Sequence, residues 1–255
     1  PAKSPIHKLD PRTKLAGTLI FIISVFLFHT VVGYAVATVF LAGMILISTV
    51  PVKFIFKGLK AIFMILLITM VFNILLTPGE AIVTLGIFKI TKEGISMAVR
   101  MAIRLIYLVI GSSLMTLTTT PNQLTDGLEK SLRPLNKIHV PVHEIAMMMS
   151  IALRFIPILL EETDKIMTAQ KARGASFSEG NLLQRAKALV PILVPLLVSS
   201  FHRAEELATA MECRCYRGET GRTKMRQLHA AGRDYAAMTV TLLLFTGAVA
   251  VKIIF

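Results

Sequence analysis

The chain has 255 residues, of which 54% are hydrophobic and 17% charged, with a mean hydropathy of +0.68, against about 25% charged residues in a soluble domain. That composition excludes an ordinary soluble domain and points to the membrane. The net charge of +13 could serve nucleic acid, but nucleic-acid binders lack uninterrupted apolar segments of this length, so the excess marks cytoplasmic loops instead.

The N-terminal stretch "PAKSPIHKLDPRTKLAG" shows no cleavage site after a short apolar core and is not expected to be a removable signal peptide. From Leu15 to Val52 no Asp, Glu, Lys or Arg occurs in 38 residues; as one helix this run would reach ~57 Å against a hydrocarbon core of ~30 Å. The run must fold back, and the break "FHTVVGY" at 28–34 is the expected turn, giving spans near 14–28 and 32–50. The basic break "PVKFIFKGLK" leads into a third span near 60–76, closed by "TPGE". A mixed loop follows, then a fourth span near 98–120, stopped by a threonine run and Pro121. Between 121 and 234 charges become frequent, and the apolar stretch Ala188 to Phe201 is interrupted by Pro191 and Pro195 and is short for a span. This segment reads as a water-facing helical domain with oily faces, and residues 235–255 as a fifth span. The expected fold class is all-α: a polytopic membrane protein with about five transmembrane helices and a cytoplasmic domain of long helices.

The loops set the orientation. Lys3, Lys8, Arg12 and Lys14 precede the first span, Lys53, Lys57 and Lys60 follow the second, and the 121–234 segment is rich in Lys and Arg. The opposite side holds the uncharged turn and the 77–97 loop, where Lys89 and Lys92 are matched by Glu80 and Glu93. The positive-inside rule therefore places the N-terminus and residues 121–234 in the cytoplasm and the C-terminus outside.

Within the charged domain two long helical patterns, "HEIAMMMSIALRFIPILLEETDKIMTAQKARGASF" and "LLQRAKALVPILVPLLVSSFHRAEELATAMECRCYRG", each begin oily, carry proline, turn acidic and end in an arginine. They align at an offset of 41, pairing Asp164 with Glu205, Ile166 with Leu207, Thr168 with Thr209, Ala169 with Ala210 and Arg173 with Arg214. Small residues flank both arginines: Ala172 and Gly174, then Cys213 and Cys215. Such neighbours let a partner's backbone come close, and an arginine between them offers five donors to carboxylates or carbonyls. The duplication suggests two sockets on a paired, roughly two-fold partner. The plainer reading of juxtamembrane arginines is attachment to anionic lipid, at about 1 kcal/mol each.

No sequence signature of an enzyme is present. A phosphate loop of the form G-x-x-x-x-G-K-[ST] is missing, "GETGRT" at 218–223 reads as a flexible basic turn, and "HEIAM" at 143–147 lacks the second histidine of a zinc-protease helix. The C-x-C pair has no partner elsewhere, so neither a disulfide framework nor a metal site is expected, and the thiols read as reduced.

The combination of "LDPRTKL", "ALRFIPILLEETDKIMTAQKARG" and "RAEELATAMECRCYRG" resembles the transmembrane T component of energy-coupling factor transporters, the micronutrient-uptake branch of the ATP-binding-cassette machinery. The resemblance covers essentially the whole chain. It implies a scaffold that joins a substrate-binding S component in the membrane to two cytoplasmic ATPase subunits, with coupling helices whose Ala-Arg-Gly-like elements dock into grooves on the ATPases. Those elements are Ala172, Arg173 and Gly174, then Cys213, Arg214 and Cys215; the second departs from the plain pattern in its two cysteines, whose exposed thiols could be oxidised or modified. ATP and Mg²⁺ belong to the partners and no cofactor to this chain. The expected location is a prokaryotic cell membrane, in contact with lipid and not with nucleic acid.

Three further groups stand out. Met147, Met148 and Met149 could form an adaptable platform for the S component, or fill a core. Arg100 and Arg104, one turn apart near the outer end of the fourth span, should snorkel outward or meet a partner within the protein. Asn73 reads as helix-packing glue. A self-contained channel or secondary transporter with a cytoplasmic gate is the alternative, but the spans are poor in carboxylates; a membrane enzyme lacks a visible nucleophile, base or metal cluster.

Overall fold

The computed structural model describes residues 4–28, 30–85, 88–175, 177, 181–218 and 229–254. Nearly everything described is helical: α1 (Pro11–Leu27), α2 (Val31–Ser48), α3 (Val52–Leu76), α4 (Lys92–Thr118), α5 (Pro121–Leu132), α6 (Val142–Ala172), α7 (Leu182–Cys213) and α8 (Gly232–Ile254). An antiparallel hairpin, β1 (Ala81–Leu85) with β2 (Phe88–Thr91), joins α3 to α4. The chain divides into two compact units, Pro1–Lys130 with Gln227–Phe255, and Ser131–Arg226. The basic turn expected at 218–223 lies outside the described residues apart from Gly218.

In the first unit the chain does turn back after the first apolar run. Thr30 caps α2 by accepting a bond from Gly33 N at 3.4 Å, and Phe28, Tyr34 and Ala37 enter one core with Phe21, Val25, Leu41, Leu114, Leu244 and Ala248. Packing of α1 on α4 and α8, and of α3 on α4, builds this unit. The large residues facing away, such as Phe63, Met64 and Phe72 of α3, form the surface an apolar solvent would cover.

The "LDPRTKL" segment is where three helix ends are tied together. Asp10 caps α1 by accepting from Arg12 N at 3.0 Å, and Pro11 occupies the first helical position, where no N–H is needed. Lys14, buried, donates to the carbonyl of Thr118 at 2.7 Å and to that of His7 at 3.3 Å. Its ammonium thereby answers an orphan carbonyl at the C-terminus of α4, the end where a helix favours positive charge. Asp234, buried in the first turn of α8, accepts from Asp10 N at 2.7 Å and Ala231 N at 2.8 Å.

Some expectations are corrected. The third helix begins at Val52, not near 60: Lys53, Lys57 and Lys60 are all exposed and recur at helical spacing, so they decorate one stripe of α3 instead of breaking it. The fourth begins at Lys92, capped by Thr91, which accepts from Gly94 N at 3.0 Å. The supposed irregular loop holds the hairpin. As the repeat pattern implies, α7 runs unbroken for 32 residues through Pro191 and Pro195. Six described helices, α2, α3, α4, α6, α7 and α8, are long and apolar enough to cross a membrane by length and composition. The set includes the two helices read as water-facing and leaves out the 17-residue α1.

Candidate functional site

The site is built on the second unit, where α6 and α7 have nearly equal lengths of 31 and 32 residues. A long helix with an internal proline loses the N–H that would bond four residues back, leaving a carbonyl free. Pro195 frees the carbonyl of Pro191 in this way, and Gln170 of α6 donates its Nε2 to it at 3.4 Å. An ion pair adds a second tie: Arg203 Nη2 lies 2.9 Å and Arg203 Nε 3.3 Å from the same oxygen of Glu162. Ser199 hydrogen-bonds the same carboxylate.

These two contacts give the sense of the packing. Going from Glu162 toward the C-terminus of α6 reaches Gln170; the matching partners on α7 go from Arg203 back to Pro191, toward its N-terminus. The helices therefore run antiparallel where they meet, and their C-terminal ends point away from each other.

Each of those ends carries one arginine element, and the two share a backbone shape. At the first, Arg173 follows the last helical residue, Gly174 takes the left-handed conformation at φ +86°, Gly174 N donates to Lys171 O at 2.9 Å, and Ala175 N reaches back to Gln170 O at 3.0 Å. At the second, Cys215 takes that conformation at φ +53°, Cys215 N donates to Glu212 O at 2.8 Å, and Tyr216 N reaches Met211 O at 3.1 Å. Every residue of the second set is 41 positions after its counterpart. Both are left-handed helix caps in which the reversing backbone closes over the last carbonyls. Ala172, Arg173, Gly174, Cys213, Arg214 and Cys215 are all exposed, and neither guanidinium has a hydrogen bond or ion pair among the described residues. The arrangement offers two unpartnered cations on stiff, well-capped rods, suited to a carboxylate-lined groove.

Sequence reasoning missed two parts of this. The cap was half visible, since Gly after an Arg at a helix end is a stop signal, but cysteine in the same role carries none. The ion pair was also available, because Glu162 and Arg203 are themselves 41 apart.

The remaining candidates are placed as follows. Met148 and Met149 are exposed and Met147 half-buried near the start of α6, at the opposite end of that helix from Arg173. Arg104 meets groups within its own unit: its Nη2 donates to Phe28 O at 3.3 Å and Tyr34 Oη at 3.5 Å, and its guanidinium stands 5.4 Å from the Phe26 ring centre. Arg100 is exposed and bonds Ser96 Oγ at 3.3 Å on its own helix. Asn73 donates its amide to Thr69 O at 2.7 Å inside α3, while its own backbone carbonyl lies against Gly94 of α4. Among the described residues no group of three or more His, Cys, Asp or Glu side chains could hold a metal ion.

Comparison with known proteins bears on what these helix ends meet. Residues 2–225 match a family profile described as CbiQ, cobalt transport protein. Three relatives carry the name energy-coupling factor transporter transmembrane protein EcfT. That of Ruminiclostridium cellulolyticum is 51% identical over 255 residues, covering 100% of this chain and 96% of its own. That of Clostridium kluyveri is 54% identical over 249 residues, covering 96% and 91%. The Bacillus subtilis protein is 49% identical over 245 residues, covering 96% and 92%.

Proposed function

The chain belongs to the CbiQ family as a transmembrane, non-catalytic component of an energy-coupling factor transporter, and on that premise we propose that it couples ATP hydrolysis by two nucleotide-binding subunits to reorientation of a substrate-binding S component, for uptake of a vitamin or a metal ion. ATP and Mg²⁺ are held by those partners. Arg173 and Arg214, with their small neighbours, dock one into each ATPase, and closure of the ATPase pair displaces the two helices. The exposed methionines at 148 and 149, with Met147, meet the S component.

The observation that carries this reading is the pair of matched helix caps, each presenting an unpartnered arginine, at opposite ends of an antiparallel couple. Antiparallel spans would send the two arginines to opposite faces of the bilayer. Antiparallel helices lying along its cytoplasmic surface present both to the same side, where a two-fold ATPase pair can take them. The charges agree: the stretch from Ala188 to Phe201 would span only ~21 Å of a ~30 Å core, and Arg154 interrupts the apolar half of α6. In this reading α1, α2, α3, α4 and α8 cross the cell membrane, with the N-terminus and residues 121–234 in the cytoplasm.

The test is coexpression of the chain with its ATPases and S component, followed by purification and uptake in vesicles. Arg173→Ala with Arg214→Ala should cost at least tenfold in retained ATPase or in uptake, and full uptake with intact stoichiometry would overturn the reading.

A further inference from the structure

The ion pair between the two long helices joins residues at equivalent positions of the internal repeat. Glu162 and Arg203 differ by 41, the same offset that relates Arg173 to Arg214 and the two left-handed caps. When two antiparallel helices are related by an approximate two-fold axis, a residue can touch its own equivalent only where that axis passes. The contact at 2.9 Å therefore marks the symmetry point of the couple. Arg173 lies 11 residues beyond Glu162, and Arg214 lies 11 residues beyond Arg203. The arms are equal, at ~16 Å each for a helical rise of ~1.5 Å per residue.

At such a point an unbroken repeat would set like against like, Glu on Glu or Arg on Arg, which repel. Here the repeat breaks its own symmetry at this position and makes the meeting attractive. With Glu162 22% exposed and Arg203 36%, solvent partly screens the pair, and the direct hydrogen bonds of the guanidinium hold it together. Both guanidinium donors use one carboxylate oxygen, so the joint can swing without releasing its partner.

We propose that Glu162 and Arg203 are positioning residues that form the pivot of the coupling helices. The pair holds the crossing point fixed while the two arms move, so that displacement of Arg173 and of Arg214 is converted into equal and opposite motion across the joint. This rests on the docking role given above to the two arginines.

The experiment uses the whole complex, reconstituted with its ATPases and S component, and reads three quantities: ATPase retained on purification, ATP hydrolysed, and substrate taken up per ATP. Glu162→Arg and Arg203→Glu alone should each keep the ATPases bound and hydrolysing while uptake per ATP falls about tenfold, and the exchanged pair together should recover at least half of the loss. Glu162→Gln, which keeps the shape but removes the charge, should give an intermediate value; it carries the test if the charge-reversed chains do not accumulate. Wild-type uptake per ATP in the single variants, or an exchanged pair no better than the worse single, overturns the pivot. A control chain with both Arg173→Ala and Arg214→Ala separates the two ideas. If that control keeps its ATPases and uptake, the docking reading fails; if it loses them while the charge variants transport normally, the pivot alone fails.

Discussion

Cys215 stands in a backbone conformation that its counterpart reaches without cost. Gly174 has no Cβ and adopts φ +86° freely, whereas a side chain at φ +53° brings Cβ toward a carbonyl oxygen, at about 1 kcal/mol. The second cap therefore holds strain that the first does not. Cys215→Gly should stabilise the end of α7 by up to about 1 kcal/mol, after the extra freedom of glycine in the unfolded chain is set against it. Gly174→Ala should destabilise the end of α6 by a similar amount, since open space around this glycine leaves only the backbone angle to object. Hydrogen exchange at the amides of Ala175 and Tyr216, the two residues that close the caps, reads both changes in the purified complex. Slower exchange at Tyr216 and faster exchange at Ala175 is the expected pattern, and no change at either would show that the caps do not depend on this angle.

At the scale of elements, helix ends and helix crossings are secured by single polar contacts whose removal leaves a named group unsatisfied. Asp234 accepts two backbone N–H groups, one of them from Asp10 in another part of the sequence; an unsatisfied buried donor costs roughly 1–3 kcal/mol. Asp234→Ala should accordingly lower the stability of the first unit by about 3 kcal/mol, seen as a reduced midpoint in thermal unfolding of the detergent-solubilised chain. The bond from Gln170 to the carbonyl freed by Pro195 can be isolated by a double-mutant cycle. Gln170→Ala should cost about 1 kcal/mol in the parent chain and much less beside Pro195→Ala, where an N–H becomes available within α7 to take that carbonyl. Equal costs in both backgrounds would mean that the two side chains are uncoupled. These contacts also explain what the sequence made legible. The turn at 28–34 was readable because an uncharged run of 38 residues cannot lie straight in a bilayer. The start of α3 was obscured because three lysines look like a break until their spacing is laid on a helix. The hairpin at 81–91 is hard to read because Glu80, Lys89, Lys92 and Glu93 flank and interrupt the short β-branched runs that form it. The length of α7 is legible in the repeat, whose second copy carries its prolines inside one long helical pattern; what needs the structure is the carbonyl that Pro195 leaves free and Gln170 takes. In the site itself, the repeated arginine was visible as pattern, while the left-handed caps and the Glu162–Arg203 meeting needed three dimensions to show that one offset governs all of them.

For the molecule as a whole, transmission depends on the second unit behaving as rods and not as tethers. If Arg173 and Arg214 served only to hold the ATPases nearby, the distance from each arginine to the crossing point would be immaterial. If they act as the ends of levers, that distance and the direction each arginine faces are both fixed quantities. Two residues inserted into one arm, between Arg203 and Glu212, would lengthen it by ~3 Å and turn Arg214 by ~200° about the helix axis, to the opposite face. Seven residues would lengthen it by ~10 Å but return Arg214 almost to its original face, since seven is close to two full turns. Rods predict that both insertions reduce uptake at least tenfold, with the two-residue insertion also releasing ATPase because its arginine no longer faces the groove. A tether predicts that both are tolerated. Measuring ATPase retention and uptake for the two chains side by side, normalised to the amount of each in the membrane, separates these cases: retention with the seven-residue insertion but not the two, together with lost uptake in both, is the result that stiff, correctly spaced arms require.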